Sequence, residues 1–218
     1  IGIDMRCALL LPGHVRHYKS TFANQSKNII EPNNCDIFIS TSNLVTNWVS
    51  DHEYETEIRE MSILEKEICS VYGNRLKGLV INHEENIDVI PSPMQWKRLK
   101  ECFDQKTAYE KENGFVYDAI LRARTDLVYS KHLKIEKEEI EKNKVSLLRH
   151  FDRRIPVHDQ FAYGHPESMA KYSDLISVFA PRDVGGRSEE QLHRWLLEKD
   201  INIDYLQNFY FKMIRGRG

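Results

Sequence analysis

The run Cys-Ala-Leu-Leu-Leu at positions 7–11 is continuously apolar and is cut off by Pro12-Gly13. A short run with two apolar faces, ended by a turn pair, predicts a strand buried on both sides. A weak helical pattern covers 19–30 and stops at Pro32-Asn33-Asn34, and a second buried strand covers 36–39 and leads into polar Ser40-Thr-Ser-Asn43. From 54 to 72 apolar residues recur at threes and fours (Ile58, Met61, Leu64, Ile68, Val71), which predicts one amphipathic helix stopped by Gly73-Asn74. A third strand follows at 76–81. Pro91 and Pro93 then open a long helix over 94–112, with Trp96, Leu99, Phe103 and Tyr109 on one side and Asn113-Gly114 closing it. The fourth strand is expected at 117–121.

Alternating strands and helices predict an α/β fold, a mainly parallel sheet with helices on both faces. Beyond Asp126 the pattern loosens. The charge-rich stretch 131–144 reads as a solvated helix or loop. Strands are expected at 145–148 and 160–163, helices at 166–179 and 188–199, and one aromatic-rich strand at 203–214. No repeat, low-complexity tract or linker breaks the chain, so its 218 residues predict a single domain.

Composition narrows the class. Apolar residues make up 41% and charged residues 29%, enough for a sizeable core under a solvated surface. A formal net charge of -2 argues against general nucleic-acid binding. Cys7, Cys35, Cys69 and Cys102 are too far apart for a metal knuckle and sit among apolar residues. They are expected to be reduced, buried small hydrophobes. No stretch has the length of a membrane span, which makes a cytoplasmic protein the expectation (host cytoplasm, if viral). Residues 1–4 are expected to be appended in expression ahead of a natural start at Met5. The tail 215–218 reads as a cut from something longer.

Several motifs are missing. The first strand leads into Pro12-Gly-His-Val-Arg16, without the glycine spacing of a dinucleotide fold or the Gly-Lys-Ser/Thr of a phosphate loop. There is no Gly-x-Ser-x-Gly and no His-Glu-x-x-His. The informative segment is Arg122-Ala-Arg-Thr-Asp126, where a strand emerges into two arginines and an aspartate. Alternation along an extended chain would put Arg122, Arg124 and Asp126 on one side. A carboxylate beside two guanidinium groups suits a metal-bound diphosphate. It equally suits an Arg–Asp ion pair at a surface loop, and spacing alone leaves both open.

The strand with Arg122-Ala-Arg-Thr-Asp126 resembles the DxD-like element of GT-A glycosyltransferases. The segment His158-Asp-Gln-Phe-Ala-Tyr-Gly164 resembles the sugar pocket of related viral and bacterial enzymes. Arg6 to Arg16, followed by Cys35-Asp-Ile-Phe-Ile-Ser-Thr41, resembles their nucleotide-binding start. The likeness spans nearly the whole chain and extends in particular to the N-terminal domain of chlorovirus capsid-glycan glycosyltransferases. It implies a GT-A-like (Rossmann-like) domain over 5–214, itself the N-terminal part of a longer protein. The implied donor is a nucleotide-diphosphate sugar, a UDP-sugar, with Mn²⁺ or Mg²⁺, and the implied acceptor is a hydroxyl of a glycan or glycoprotein, as in viral capsid glycosylation.

On that resemblance Asp126 ligates the metal, Arg122 and Arg124 meet the diphosphate, and Pro12, Gly13, His14, Arg16 and Thr41 line the nucleotide. The first acidic position of the element is Arg124 here, so a second metal ligand has to come from elsewhere. Transfer to a hydroxyl with inversion needs a base. Asp159 is the first candidate and Glu189 or Glu190 the second, although acidic residues also favour the first turn of any helix. His193 is either a late phosphate or metal contact or a helix-surface histidine. The rival readings are a nucleotidyltransferase making the sugar nucleotide, which normally has a glycine-rich, lysine-bearing loop, and a non-catalytic glycan-binding domain.

Overall fold

The computed structural model describes residues 5–48, 54–84, 93–149, 157–178 and 188–214. The expectations for residues 1–4, for Pro91 and for the 215–218 tail lie outside these. The first apolar run forms β1 (Cys7–Pro12), followed by α1 (Tyr18–Gln25), which continues as a π-helical turn, Ser26–Ile30. Next come β2 (Cys35–Ser42), a hairpin of β3 (Leu44–Trp48) and β4 (Tyr54–Ile58), and α2 (Met61–Tyr72). Then follow β5 (Leu76–Asn82), α3 (Pro93–Asn113), β6 (Ala119–Arg122) and β7 (Leu127–Tyr129). The chain goes on to β8 (Lys144–Arg149), β9 (Val157–Gly164), α4 (Pro166–Ser173) and α5 (Ser188–Glu198), and ends with β10 (Asn202–Tyr205) and β11 (Phe211–Met213).

Seven strands form one sheet in the order β10-β8-β9-β6-β1-β2-β5. All pair in parallel except β9, which is antiparallel to both β6 and β8. The fold is therefore α/β with a mostly parallel sheet, as the alternating pattern implies. Successive side chains of β1 enter opposite cores. Cys7, Leu9 and Leu11 pack with Tyr18, Ile29, Leu64, Ile68 and Tyr72 under α1 and α2. Ala8 and Leu10 pack with Trp96, Leu99, Met169, Tyr172, Leu192 and Trp195 under α3, α4 and α5. Burial on both faces explains why this strand has no polar alternation.

Two expected elements divide. The single helix over 54–72 is a strand and a helix, because Tyr54-Glu-Thr-Glu-Ile58 pairs with β3 before α2 begins. Ile58, counted on the apolar face of that helix, is 51% exposed. The aromatic run at 203–214 supplies β10 to the main sheet, whereas β11 pairs with β7 in a separate two-stranded ribbon. Residues 131–143 are a mostly exposed loop with one 3₁₀ turn, Lys137–Glu139, and Lys144 already begins β8. The cysteines are all free thiols; Cys7, Cys35 and Cys102 are buried as expected, but Cys69 is exposed on α2. Among the described residues no helix is long and apolar enough to cross a membrane.

Gly78 pairs directly with Phe38 across β5 and β2. A Cβ there would lie 2.6 Å from Gln105 Oε1 and 2.8 Å from the fully buried Phe38 ring. Gly78→Ala is therefore expected to lower unfolding free energy by about 1–3 kcal/mol, as overpacking does, measured by urea denaturation.

Candidate functional site

From β1 the chain moves outward to β2 and β5, then returns to place β6 on the other side of β1. In open α/β sheets such a reversal leaves a crevice outside the carboxyl ends of the two central strands, where ligands bind. The loops after β1 and β6 lie at this reversal. Because β9 runs antiparallel, its first residues reach the same rim.

The first loop turns at Gly13, whose φ of 103° is open to glycine and strained for other residues. Its N–H donates to Ser40 O at 3.0 Å. His14 lies 2.8 Å from Leu44 O through Nδ1. A carbonyl only accepts, so Nδ1 carries the hydrogen. Burial lowers the His14 pKa, with the Arg16 and Arg98 charges adding to it against the Leu44 hydrogen bond, so the imidazole is neutral at pH 7. The Thr125 hydroxyl accepts from Arg16 N–H at 3.0 Å and is 3.1 Å from Arg16 O, which ties the first loop to the second.

The second loop leaves β6 at Arg122. Ala123 N–H still donates to Leu10 O at 3.0 Å, after which the chain turns. Alternation along a strand therefore does not extend to Arg124 and Asp126. The turn is held from α1: Gln25 Nε2 lies 3.0–3.1 Å from the carbonyls of Arg124, Thr125 and Leu127, and Thr21 Oγ1 donates to Thr125 O at 2.5 Å. Asp126 O accepts from Ile214 N–H at 2.9 Å.

Inside this turn Arg124 grips Asp126 with a two-pronged fork, Nε to Oδ1 at 2.9 Å and Nη2 to Oδ2 at 2.5 Å. The pair is an Arg–Asp ion pair, but not at the surface: Asp126 is fully buried, and the Arg124 side chain is 22% exposed. Arg122 is 1% exposed. Its Nη2 lies 3.4 Å from Gln95 Oε1 and its guanidinium 6.0 Å from the Trp96 ring centre, while Nε and Nη1 have no hydrogen-bond partner among the described residues.

Asp159, at the start of β9, accepts from Gln95 Nε2 at 3.0 Å, and Ser188 at the start of α5 bonds to the same carboxylate. Burial would raise its pKa, but the Arg122 charge and the Gln95 and Ser188 hydrogen bonds outweigh burial and hold it below the ordinary carboxylate value. Arg124 also feels the Asp159 charge, so both arginines lie within electrostatic reach of one carboxylate.

The sequence-derived residues divide into two sets. Arg122, Arg124, Asp126 and Asp159 converge, with Pro12, Gly13, His14 and Arg16 on the adjoining loop. Thr41 is fully buried, its carbonyl accepting from Arg98 and Asn82 and its hydroxyl 3.4 Å from Ser42 O. Glu190 is exposed in the first turn of α5, and Glu189 and His193 are half-buried on the same helix. Gln25, Gln95, Thr125 and Ser188 were not singled out from sequence. They are ordinary polar residues within helices or a turn, and only the folded neighbours give them their partners.

A divalent cation does not fit Asp126 in this arrangement, because the carboxylate is fully buried and the positive Arg124 guanidinium already lies against both of its oxygens. Among the described residues no three His, Cys, Asp or Glu side chains are grouped to hold a metal ion. No protein-family model matches the sequence, and no curated protein matches it.

The depressed pKa of Asp159 means that its ionised form stabilises the fold above the unfolded-state value of about 3.9, and that this contribution disappears as pH falls through the lower folded value. The stability difference between wild type and Asp159→Asn is therefore expected to stay constant from neutral pH to about pH 4 and to close below it, measured by urea unfolding across pH.

Proposed function

We propose that this chain is a glycosyltransferase domain that moves a sugar from a nucleotide-diphosphate sugar, a UDP-sugar, to a hydroxyl of a glycan or glycoprotein. The observation that carries the reading is the buried Arg122 at the rim of the switch point, with two N–H-bearing nitrogens that have no acceptor among the described residues. A guanidinium removed from water and left partly unpaired is costly. A phosphate oxygen entering the crevice supplies the missing acceptors with charge-assisted bonds. Its position at the carboxyl ends of a mostly parallel sheet, and the resemblance of the three segments named above, support the same reading.

In this scheme the loop of Pro12, Gly13, His14 and Arg16 lies along the nucleoside. The neutral His14 offers Nε2 as an acceptor, since Nδ1–H is engaged with Leu44 O. Arg122 and Arg124 face the diphosphate and stabilise the charge that grows as the anomeric C–O bond breaks. Asp159 takes the proton of the acceptor hydroxyl as its oxygen bonds the anomeric carbon, and the nucleoside diphosphate leaves with the bonding electrons. The same interactions that lower the Asp159 pKa keep it ionised and also limit its strength as a base. Glu190, exposed on α5, is the alternative base if the acceptor approaches from that side.

UDP at about a hundred times its Kd should stabilise the fold by about 2.7 kcal/mol, visible as a rise in melting temperature. No shift with any nucleoside diphosphate rejects the reading. Asp159→Asn should lower the rate of UDP release from donor in the presence of acceptor by about two to four orders of magnitude, with UDP affinity equal or higher because Arg122 loses a competing charge. Unchanged turnover moves the base to Glu190.

A further inference from the structure

Arg124 has five N–H bonds in a planar fork, and two of them go to Asp126. No described residue is seen to accept from the remaining three, and the side chain is 22% exposed while its anchor Asp126 is fully buried. The guanidinium is thus fixed at the back and open at the front. Its orientation is set before any ligand arrives, which reduces the ordering a flexible arginine would have to undergo on binding. Arg122 stands at the end of the adjoining strand with Nε and Nη1 unmatched among the described residues. The partly exposed Arg124 and the buried, unsatisfied N–H groups of Arg122 beside it match the two phosphates of a diphosphate, each presenting several acceptor oxygens.

We propose that Arg124 takes the place of a divalent cation in this site, so that the diphosphate of the donor is bound by Arg124 and Arg122 without metal. Asp126 is then a positioning residue for Arg124 and not a metal ligand. A cation entering at Asp126 would have to displace a buried two-pronged ion pair and leave Arg124 without its counter-charge. This inference rests on the glycosyltransferase reading, and the following test separates the two.

Isothermal titration of the whole chain with UDP, once in EDTA and once in MnCl₂, reads the metal dependence directly. Affinities within about twofold of each other are expected, well under the tenfold that 1.4 kcal/mol represents. Arg124→Ala should weaken UDP binding by about ten- to a hundredfold in both media, the range for loss of charged hydrogen bonds. Because that variant leaves Asp126 buried without its partner, Arg124→Lys is the companion: it keeps a counter-charge for folding but lacks the fork, and should also bind UDP more weakly in both media. Asp126→Asn frees Arg124 to wander and should lower affinity equally with and without Mn²⁺. An affinity that rises about tenfold or more with Mn²⁺, with that increment lost in Asp126→Asn, overturns the proposal while leaving the glycosyltransferase reading intact. Metal-independent binding that Arg124→Lys leaves at the wild-type level also overturns it. Absence of UDP binding in both media removes both.

Discussion

The site depends on a side-chain amide within 3.0–3.1 Å of three backbone carbonyls. Gln25, 1% exposed on α1, lies against Arg124 O, Thr125 O and Leu127 O at the point where β6 has ended and β7 has not begun. A turn of this kind makes no ladder bonds of its own, and buried carbonyls without partners are costly. The helix thus supplies what the sheet cannot, and the direction in which Arg124 and Asp126 leave the backbone follows from it. Thr21 and the Thr125 hydroxyl extend the tie to Arg16, so the loops after β1 and β6 are bonded to each other and to α1.

The reversed strand has a separate role. In a fully parallel sheet every strand would bring only its last residues to the ligand rim. By running against its neighbours, β9 brings its first residues there, and Asp159 meets Arg122 from the opposite chain direction. Gln95 and Ser188 link that carboxylate to the starts of α3 and α5. Charges from distant parts of the chain are thereby held in one network.

Much of this was legible in the sequence. The apolar run at 7–11 gave β1 nearly in full and the run at 36–39 gave the apolar half of β2, because strands buried on both faces have no competing pattern, while the Ser40-Thr-Ser42 end of β2 read as a polar segment beyond the strand. Trp96, Leu99 and Leu192 lay on the buried sides of their helices as their spacing implied. The β3–β4 hairpin was obscured because the apolar spacing of α2 reads backward into Ile58 without a break. At the site, Arg122, Arg124, Asp126 and Asp159 were legible as charged residues at strand ends. Their pairing was not, since the geometry inferred for Arg124 and Asp126 assumed that the strand continued. The turn places Asp126 behind Arg124 instead of beside it, and the residues that fix this, Gln25 and Thr125, have no motif.

The thiols of this chain differ in how a reagent would meet them. Cys35 and Cys102 are buried and their pKa values are pushed up by burial, and Cys7 is buried beside Cys35 on the neighbouring strand. Cys69 is exposed on α2, the helix that covers the sheet face opposite α3 and α5. A maleimide dye applied to the native fold would therefore attach at Cys69. Gln95 and Ser188, which hold the Asp159 carboxylate, lie on the helices across the sheet. The unmutated protein thus carries a natural attachment point for a fluorophore or a surface tether, placed where the label leaves those helices untouched.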